Sequence, residues 1–339
     1  MATPSWAPQY SQPLRKRKPR HYAESLETCY LLAPVVTPVT ERAAPDVATA
    51  ATGFSFAVLA ALLFSAKAIL VKLAYPYGVS PIALLALRMG IAGPVFAWIG
   101  ITSSRGKPPL TRRDWLSLAA LGVLGYYGAS LFDFIGLQYI TAGLERLVLF
   151  TYPTITLLIS VLILGRSFQR RDLISLALTW AGIALAFWHD ISISLDSRAV
   201  WIGGSFVFAS AICYAAYLAG CGELVVRLGS QRVSAIATAL SAIATLAHFS
   251  ITQPLSDLIQ PWPVMALAVA MALLSTVVAV FLNMAAIARL GAARTAVIGS
   301  VGPVLTIGLG AIVLHESISL TQLVGTALVL SGVWLAGKS

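Results

Sequence analysis

Residues 53–74 read GFSFAVLAALLFSAKAILVKLA, a run of 22 residues in which Lys67 and Lys72 are the charged members. An α-helix rises about 1.5 Å per residue, so this run is long enough to cross the roughly 30 Å hydrocarbon core of a bilayer. Nine further apolar runs follow, separated by short polar or proline-containing turns. The predicted helices, numbered 1 to 10, cover 53–74, 81–102, 115–137, 142–164, 172–188, 200–222, 232–251, 263–287, 293–314 and 320–337.

The composition of the whole chain agrees with these runs. Of its 339 residues, 58% are hydrophobic and 11% are charged, whereas soluble domains carry about 25% charged residues. Long, continuously apolar runs satisfy their backbone hydrogen bonds in lipid as helices rather than as the alternating strands of a barrel. The sequence therefore predicts an all-α membrane protein whose partner is the lipid bilayer.

Basic residues give the chain a net charge of +10, which alone would suit nucleic acid. They lie in short clusters between the apolar runs, where the positive-inside rule places them, and so no nucleic-acid partner is predicted. Arg198, and Arg146 if it lies outside helix 4, would face the other side. Twelve basic residues share one side: Arg105, Lys107, Arg112, Arg113, Arg166, Arg170, Arg171, Arg227, Arg232, Arg289, Arg294 and Lys338. This asymmetry predicts a multi-pass protein of the cell inner membrane with both termini in the cytoplasm.

Residues 1–52 differ from the rest of the chain. They contain six prolines before position 40 and the basic run 15–20, but no apolar run of spanning length. This composition predicts a disordered cytoplasmic tail and not a signal peptide, because no apolar core follows the basic run. The basic run either is attracted to anionic lipid or is a solvated cluster that biases topology.

The sequence also matches itself without gaps at an offset of 150 residues. The matched pairs are Pro153 with Pro303, Thr156 with Thr306, Gly182 with Gly332, Leu185 with Leu335, Ala186 with Ala336 and Asp133 with Asn283. Each half then holds five helices. Because five is odd, the second half enters the membrane upside down relative to the first, which predicts two inverted five-helix repeats.

Short motifs recur at defined places in these helices: Leu87-Arg88-Met89, Tyr152-Pro153 and its counterpart Gly302-Pro303, and Leu314-His315-Glu316-Ser317 followed by Gly325 and Gly332. With this order and spacing, residues 53–188 and 200–337 resemble the drug/metabolite transporter (DMT) superfamily, and specifically its ten-helix EamA-type branch. The chain departs from that pattern with Arg166, where a glutamate is usual. The resemblance implies a carrier of small organic molecules, often an exporter of amino acids or related metabolites. It also implies a central cavity between a first EamA-like repeat at 53–189 and a second at 199–337.

Four ionisable residues fall inside the predicted helices: Lys67, Arg88, Asp133 and Glu145. Such groups are costly in a bilayer and usually face a partner or a watery path. Counted along their helices, all four lie roughly 5 to 11 Å from the outer surface and are expected to converge on one outward vestibule. They would bind a zwitterion there, with a cation for its carboxylate and a carboxylate for its ammonium. Alternatively they form structural ion pairs, Lys67 with Asp133 and Glu145 with Arg88 or Arg146.

Tyr152 and Asn283 complete the candidate substrate-binding set, because a cavity needs apolar walls and a few oriented polar groups. Tyrosines also serve as packing residues, and the amide of Asn283 would find its partner in a substrate or in a neighbouring helix. Pro94, Pro153 and Pro303 are expected to kink their helices.

The sequence contains no phosphate-binding loop, nucleophile elbow or zinc-binding motif, so it predicts no enzyme, no cofactor and no metal site. The favoured function is a secondary transporter that moves a small organic metabolite, for example an amino acid, by alternating access. Asp133 is the candidate for proton coupling. A non-transporting membrane sensor or scaffold is the alternative.

Overall fold

The structure, a computed structural model, describes residues 47–162, 168–194 and 196–336. These residues are helical apart from short connections, and the helices are numbered α1 to α10 to match the predicted ones. Their bounds are Val47–Ala74, Pro81–Ser104, Arg112–Gly136, Ala142–Leu162, Arg170–Ile193, Ser197–Leu228, Ser230–Thr252, Trp262–Leu290, Ala292–Val313 and Leu320–Ala336. The prediction of an all-α membrane protein with ten helices is confirmed.

Nine of the helices in this described part of the chain are long and apolar enough to cross a membrane, and the apolar helix at Leu320–Leu335 is shorter. The largest differences from the predicted bounds are in α1, which begins at Val47 and not at residue 53, and in α6, which covers Ser197–Leu228 and not 200–222. The rest of the predicted tail, 1–46, lies outside the described residues, and so does Arg166.

The 150-residue repeat is visible in the backbone of α3 and α8. Each contains a six-residue π-helical segment, Val123–Gly128 in α3 and Leu273–Val278 in α8. The amide after each segment bonds to equivalent carbonyls: Ala129 N–H to Leu124 and Tyr126, and Ala279 N–H to Leu274 and Thr276. Such segments are rare and mark functional sites in many proteins. Their recurrence at one offset supports a true duplication.

Two further helices are broken at equivalent places. In α4, the segments Ala142–Leu149 and Tyr152–Leu162 are separated by two residues, and in α9 the same gap separates Ala292–Gly299 from Gly302–Val313. Pro153 and Pro303 follow the gaps. Each proline lacks a backbone N–H and its ring clashes with the preceding turn, which explains the expected kinks at these two sites.

The helices pack in pairs that the repeat relates to each other. The most extensive contacts join α2 to α7 and α5 to α10, while α1 packs on α8 and α9 just as its counterpart α6 packs on α3 and α4. Each of these contacts joins a helix of the first half to a helix of the second half, so the two halves are interleaved and do not form separate bundles. This arrangement places the broken helix α4 against α6 and the broken helix α9 against α1.

Candidate functional site

A buried charge cluster joins helices α1, α3 and α4 of the first repeat. Lys67 Nζ lies 2.5 Å from Asp133 Oδ2 and 3.4 Å from Glu145 Oε1. Asp133 and Glu145 are almost completely buried, with exposed fractions of 1% and 0%, and the Lys67 side chain is 15% exposed. Three of the four predicted ionisable residues therefore meet, but they form a closed cluster and not an open vestibule.

One ammonium group in this cluster serves two carboxylates. Asp133 Oδ1 and Glu145 Oε2 are buried and, among the described residues, have no hydrogen-bond partner. Buried carboxylate oxygens without partners are costly. The cluster therefore has unused acceptors that a proton or an additional cationic group would satisfy.

Arg88, the fourth predicted residue, does not join the cluster. Its Nε donates to Thr276 Oγ1 at 3.0 Å, in the π-helical segment of α8, and its guanidinium lies over the ring of Phe134 at 5.7 Å. The expectation that all four groups converge was wrong for Arg88, which faces α8. Of the alternative ion pairs, Lys67 with Asp133 is present, whereas Glu145 pairs with Lys67 and not with Arg88 or Arg146.

Tyr152 belongs to an aromatic array between α3, α4 and α6. Its ring packs edge-to-face on Tyr214 at 4.9 Å and on Phe150 at 6.0 Å. Tyr217 continues the array, 6.0 Å from Tyr214 and 5.1 Å from Tyr126. The array borders Arg146, whose guanidinium lies over the ring of Phe150 at 5.4 Å.

Asn283 lies in the second half of α8 and is partly exposed. In the part of the chain that the structure describes, its side chain makes none of the expected hydrogen bonds to a neighbouring helix. The repeat thus places an ion-paired carboxylate at Asp133 and an unbonded amide at the equivalent position. Asn283 stays a predicted binding residue without a structural partner.

The ends of α1 and α9, at the start of α4, hold a second set of polar contacts that sequence reasoning missed. Lys72 Nζ donates to Ile140 O at 2.7 Å and lies 3.4 Å from Glu316 Oε1. Glu316 also accepts from the N–H of Ala142 at 3.0 Å, at the start of α4. The signal that could have found them was the opposite charge of Lys72 and Glu316, two residues near helix ends at the same predicted membrane level.

Metal-ligating groups and an apolar groove are the remaining candidates for a site in the described ranges. No group of three histidine, cysteine, aspartate or glutamate side chains in them is arranged to hold a metal ion. An apolar groove is lined by Trp262, Met265, Ala266, Val269, Ala270, Leu273 and Leu274. It lies on one face of α8 and includes no charged side chain, so we place the candidate site at the buried cluster and not at this groove.

These features define a multi-pass helical membrane protein with duplicated five-helix repeats and a charged interior, an arrangement that many secondary transporters share. The model of the EamA-like transporter family matches residues 51–188 and 201–337, and the chain belongs to this family. It is therefore a membrane transporter that acts on a small-molecule substrate in a lipid bilayer, and not an enzyme. The resemblance to the DMT superfamily inferred from the short motifs is confirmed.

Relatives cover most of the chain. The uncharacterized transporter YcbK of Bacillus subtilis (strain 168) is 30% identical over 286 residues, which are 81% of this chain and 89% of the relative. The uncharacterized transporter YyaM of the same organism is 24% identical over 259 residues, 76% of this chain and 84% of the relative. A protein of known crystal structure has the same fold, with a TM-score of 0.57 and 19% identity over 84% of this chain and 96% of that chain.

Proposed function

We propose that this transporter is a secondary carrier that moves a small organic metabolite, such as an amino acid or a related compound, across the inner membrane by alternating access. The observation that carries the proposal is the pair of broken helices, α4 and α9, at equivalent repeat positions beside the buried cluster of Lys67, Asp133 and Glu145. Discontinuous helices at a repeat interface are where secondary transporters hold substrates and coupling ions.

The breaks in α4 and α9 allow the movement that alternating access requires. Each separates two helical segments by two residues without a continuous hydrogen-bond ladder, so one segment can tilt while the other stays packed. Related breaks in the two repeats allow the same movement to occur once at each side of the membrane. The asymmetry of Lys and Arg between alternate loops supports the proposed topology, in which both termini are cytoplasmic.

The buried cluster of Lys67, Asp133 and Glu145 couples this movement to the binding of a proton or of the substrate. In one state Asp133 holds Lys67, and in another it exchanges that contact for a proton or a substrate ammonium group. Only a ligand that interacts differently with the two states shifts their populations. A buried ion pair with unused acceptor oxygens has this property, because whatever binds those oxygens changes the energy of the pair.

Flux measurements test this proposal. The purified full-length chain is reconstituted in liposomes, and the uptake of labelled amino acids, organic acids and amines is followed with and without a proton gradient. We expect saturable flux of at least one compound, reduced by Asp133→Asn. A chain that is folded, inserted and inactive on the whole panel would instead support a sensor or scaffold.

A further inference from the structure

Arg146 differs from the other cations inside the bundle because, among the described residues, its side chain has no hydrogen-bond or ion-pair partner, although it is close enough to Asp133 and Glu145 to interact with them electrostatically. Lys67 is held by two carboxylates and Arg88 donates to Thr276. Among the described residues, Arg146 makes a cation–π contact with Phe150 but no hydrogen bond or ion pair through its side chain, and its buried Nε is without an acceptor. A guanidinium has five N–H donors, so its binding capacity is unused.

The position of this guanidinium is central. A Cβ added at Gly302, the first residue of the second segment of α9, would lie 3.1 Å from Arg146 Nη2 and 3.7 Å from Phe150 Cζ. Gly302 O accepts from Ser65 Oγ of α1 at 3.1 Å. Arg146 thus lies where α1, the break in α4 and the break in α9 meet, which is between the two repeats.

The neighbours of Arg146 show where its guanidinium lies. Glu145, Leu147, Phe150 and Gly302 are buried, whereas Arg146 itself is partly exposed. Its guanidinium approaches two of these buried residues, Phe150 and Gly302, and therefore lies within the bundle. It is also close enough to Tyr152 and Tyr214 to interact with them electrostatically, so the aromatic array forms the adjacent wall.

The donors of Arg146 indicate the ligand. Lys67 and Arg146 are two cations beside two carboxylates, Asp133 and Glu145, but among the described residues only Lys67 forms ion pairs with them. The N–H donors of Arg146 therefore remain available to a negatively charged acceptor. Arginine binds carboxylates through two parallel hydrogen bonds, and the aromatic wall suits an apolar skeleton.

We infer that Arg146 is the substrate-binding residue for a carboxylate group and that the transported compounds are small organic carboxylates, whose carbon skeleton lies against Phe150, Tyr152 and Tyr214. The inference rests on the proposed transport function and changes its site, because the predicted carboxylate ligands were Lys67 and Arg88. Arg146 takes that role because Lys67 is held by two carboxylates and Arg88 is fixed by its hydrogen bond to Thr276, although Arg88 Nη1 is also buried without a partner among the described residues.

The test uses matched probes in the same liposomes: L-leucine against L-leucinamide, and phenylacetate against phenylacetamide. Each amide keeps the shape and loses the negative charge. We expect the carboxylates, and not the amides, to be transported or to inhibit transport. Arg146→Gln should raise the KM for a carboxylate by roughly 30-fold or more, and Arg146→Lys, which keeps the charge and loses the two-point geometry, should have a smaller effect.

Arg289→Gln is the matched control, because Arg289 has the same cation–π contact, over Phe56 at 4.9 Å, but lies at the end of α8. It should leave the KM unchanged. Equal transport of acids and amides, or an unchanged KM in Arg146→Gln, would overturn the inference while leaving the transport function intact.

Binding is measured separately in detergent, as the rise in melting temperature that each probe causes. Stabilisation of the wild type by carboxylates that is lost in Arg146→Gln and weakened in Arg146→Lys would support the site even if no flux were seen. If no carboxylate stabilises the wild type or moves through it, the site is wrong.

Discussion

Gly182 and Gly325 bring α5 and α10 into direct backbone contact: a Cβ added at Gly325 would lie 2.6 Å from the carbonyl oxygen of Gly182. In a bilayer, burying apolar side chains between helices contributes little free energy, because the surrounding lipid is also apolar. Helices there associate through close packing of small residues. This contact joins the last helix of one repeat to the last helix of the other. A single methyl group added at this contact is therefore expected to have a large effect on the stability of the protein.

Gly182→Ala is expected to destabilise the protein by about 1–3 kcal/mol, because the new Cβ meets the Gly325 carbonyl and two atoms of Val329. Gly308→Ala is the control, since a Cβ at Gly308 would have no neighbour within 4 Å. Melting temperatures and elution profiles in detergent make the comparison. Equal melting temperatures for the two variants would show that α5 and α10 do not pack this closely.

Glu316→Ala should also lower the melting temperature, but by less. It removes the acceptor of the Ala142 N–H and the partner of Lys72. Loss of such a contact at the start of a helix costs about 1 kcal/mol, and the partly exposed ion pair adds little. Glu316→Gln, which retains an acceptor, should lie between the wild type and Glu316→Ala. Glu223→Ala, at an exposed position of α6, should melt like the wild type.

The proposed topology predicts the side from which introduced cysteines react. A cysteine at Ser104 should be labelled by an impermeant thiol reagent only from the cytoplasm, and one at Ser194 only from outside. A third site, Ser167, lies outside the described residues and should react from the cytoplasm. Because Ser104 accepts a hydrogen bond from Arg232, a cysteine at the exposed Lys107 checks that site. Labelling from the opposite side at any position would contradict the model of two cytoplasmic termini.

Deletion of residues 2–45 should leave insertion and transport unchanged. The segment has no apolar run with which to pack, and α1 begins after it, at Val47. Expression, elution profile and liposome flux of the shortened chain provide the measurement. Failure to insert would mean that the basic run at 15–20 has a larger role than biasing topology.

Periodic and compositional signals were sufficient for the helices and for the repeat. Apolar runs of spanning length have few alternatives in lipid, and prolines in register at Pro153 and Pro303 located both helix breaks. The π-helical segments could not be predicted in this way. A one-residue widening of the hydrogen-bond ladder changes neither the hydrophobicity nor the length of a helix.

The candidate site was only partly predictable, for a geometric reason. Counting residues gives the depth of a side chain in the membrane, so Lys67, Asp133, Glu145 and Arg88 were placed at one level. The direction in which a side chain points changes by about 100° from one residue of a helix to the next. Because both the lipid and the protein interior are apolar, the hydrophobicity pattern does not show which face of a helix points inward. Arg88 therefore faced α8 unexpectedly, and Arg146 was considered only as an ion-pair partner.

Asp133→Asn is expected to fold and insert normally while losing most transport or its pH dependence. The amide keeps the shape of Asp133, Lys67 retains Glu145 as a partner at 3.4 Å, and the repeat has asparagine at the equivalent position, 283. Lys67→Met is the informative comparison. It leaves two buried carboxylates without their cation, and breaking a buried pair from that side costs about 3–5 kcal/mol, so this variant should melt well below Asp133→Asn. Flux across a range of pH values, measured beside melting temperature, separates the two effects. Wild-type transport by Asp133→Asn at every pH would show that the residue only packs the helices, and the proposed coupling role of the cluster would then fail.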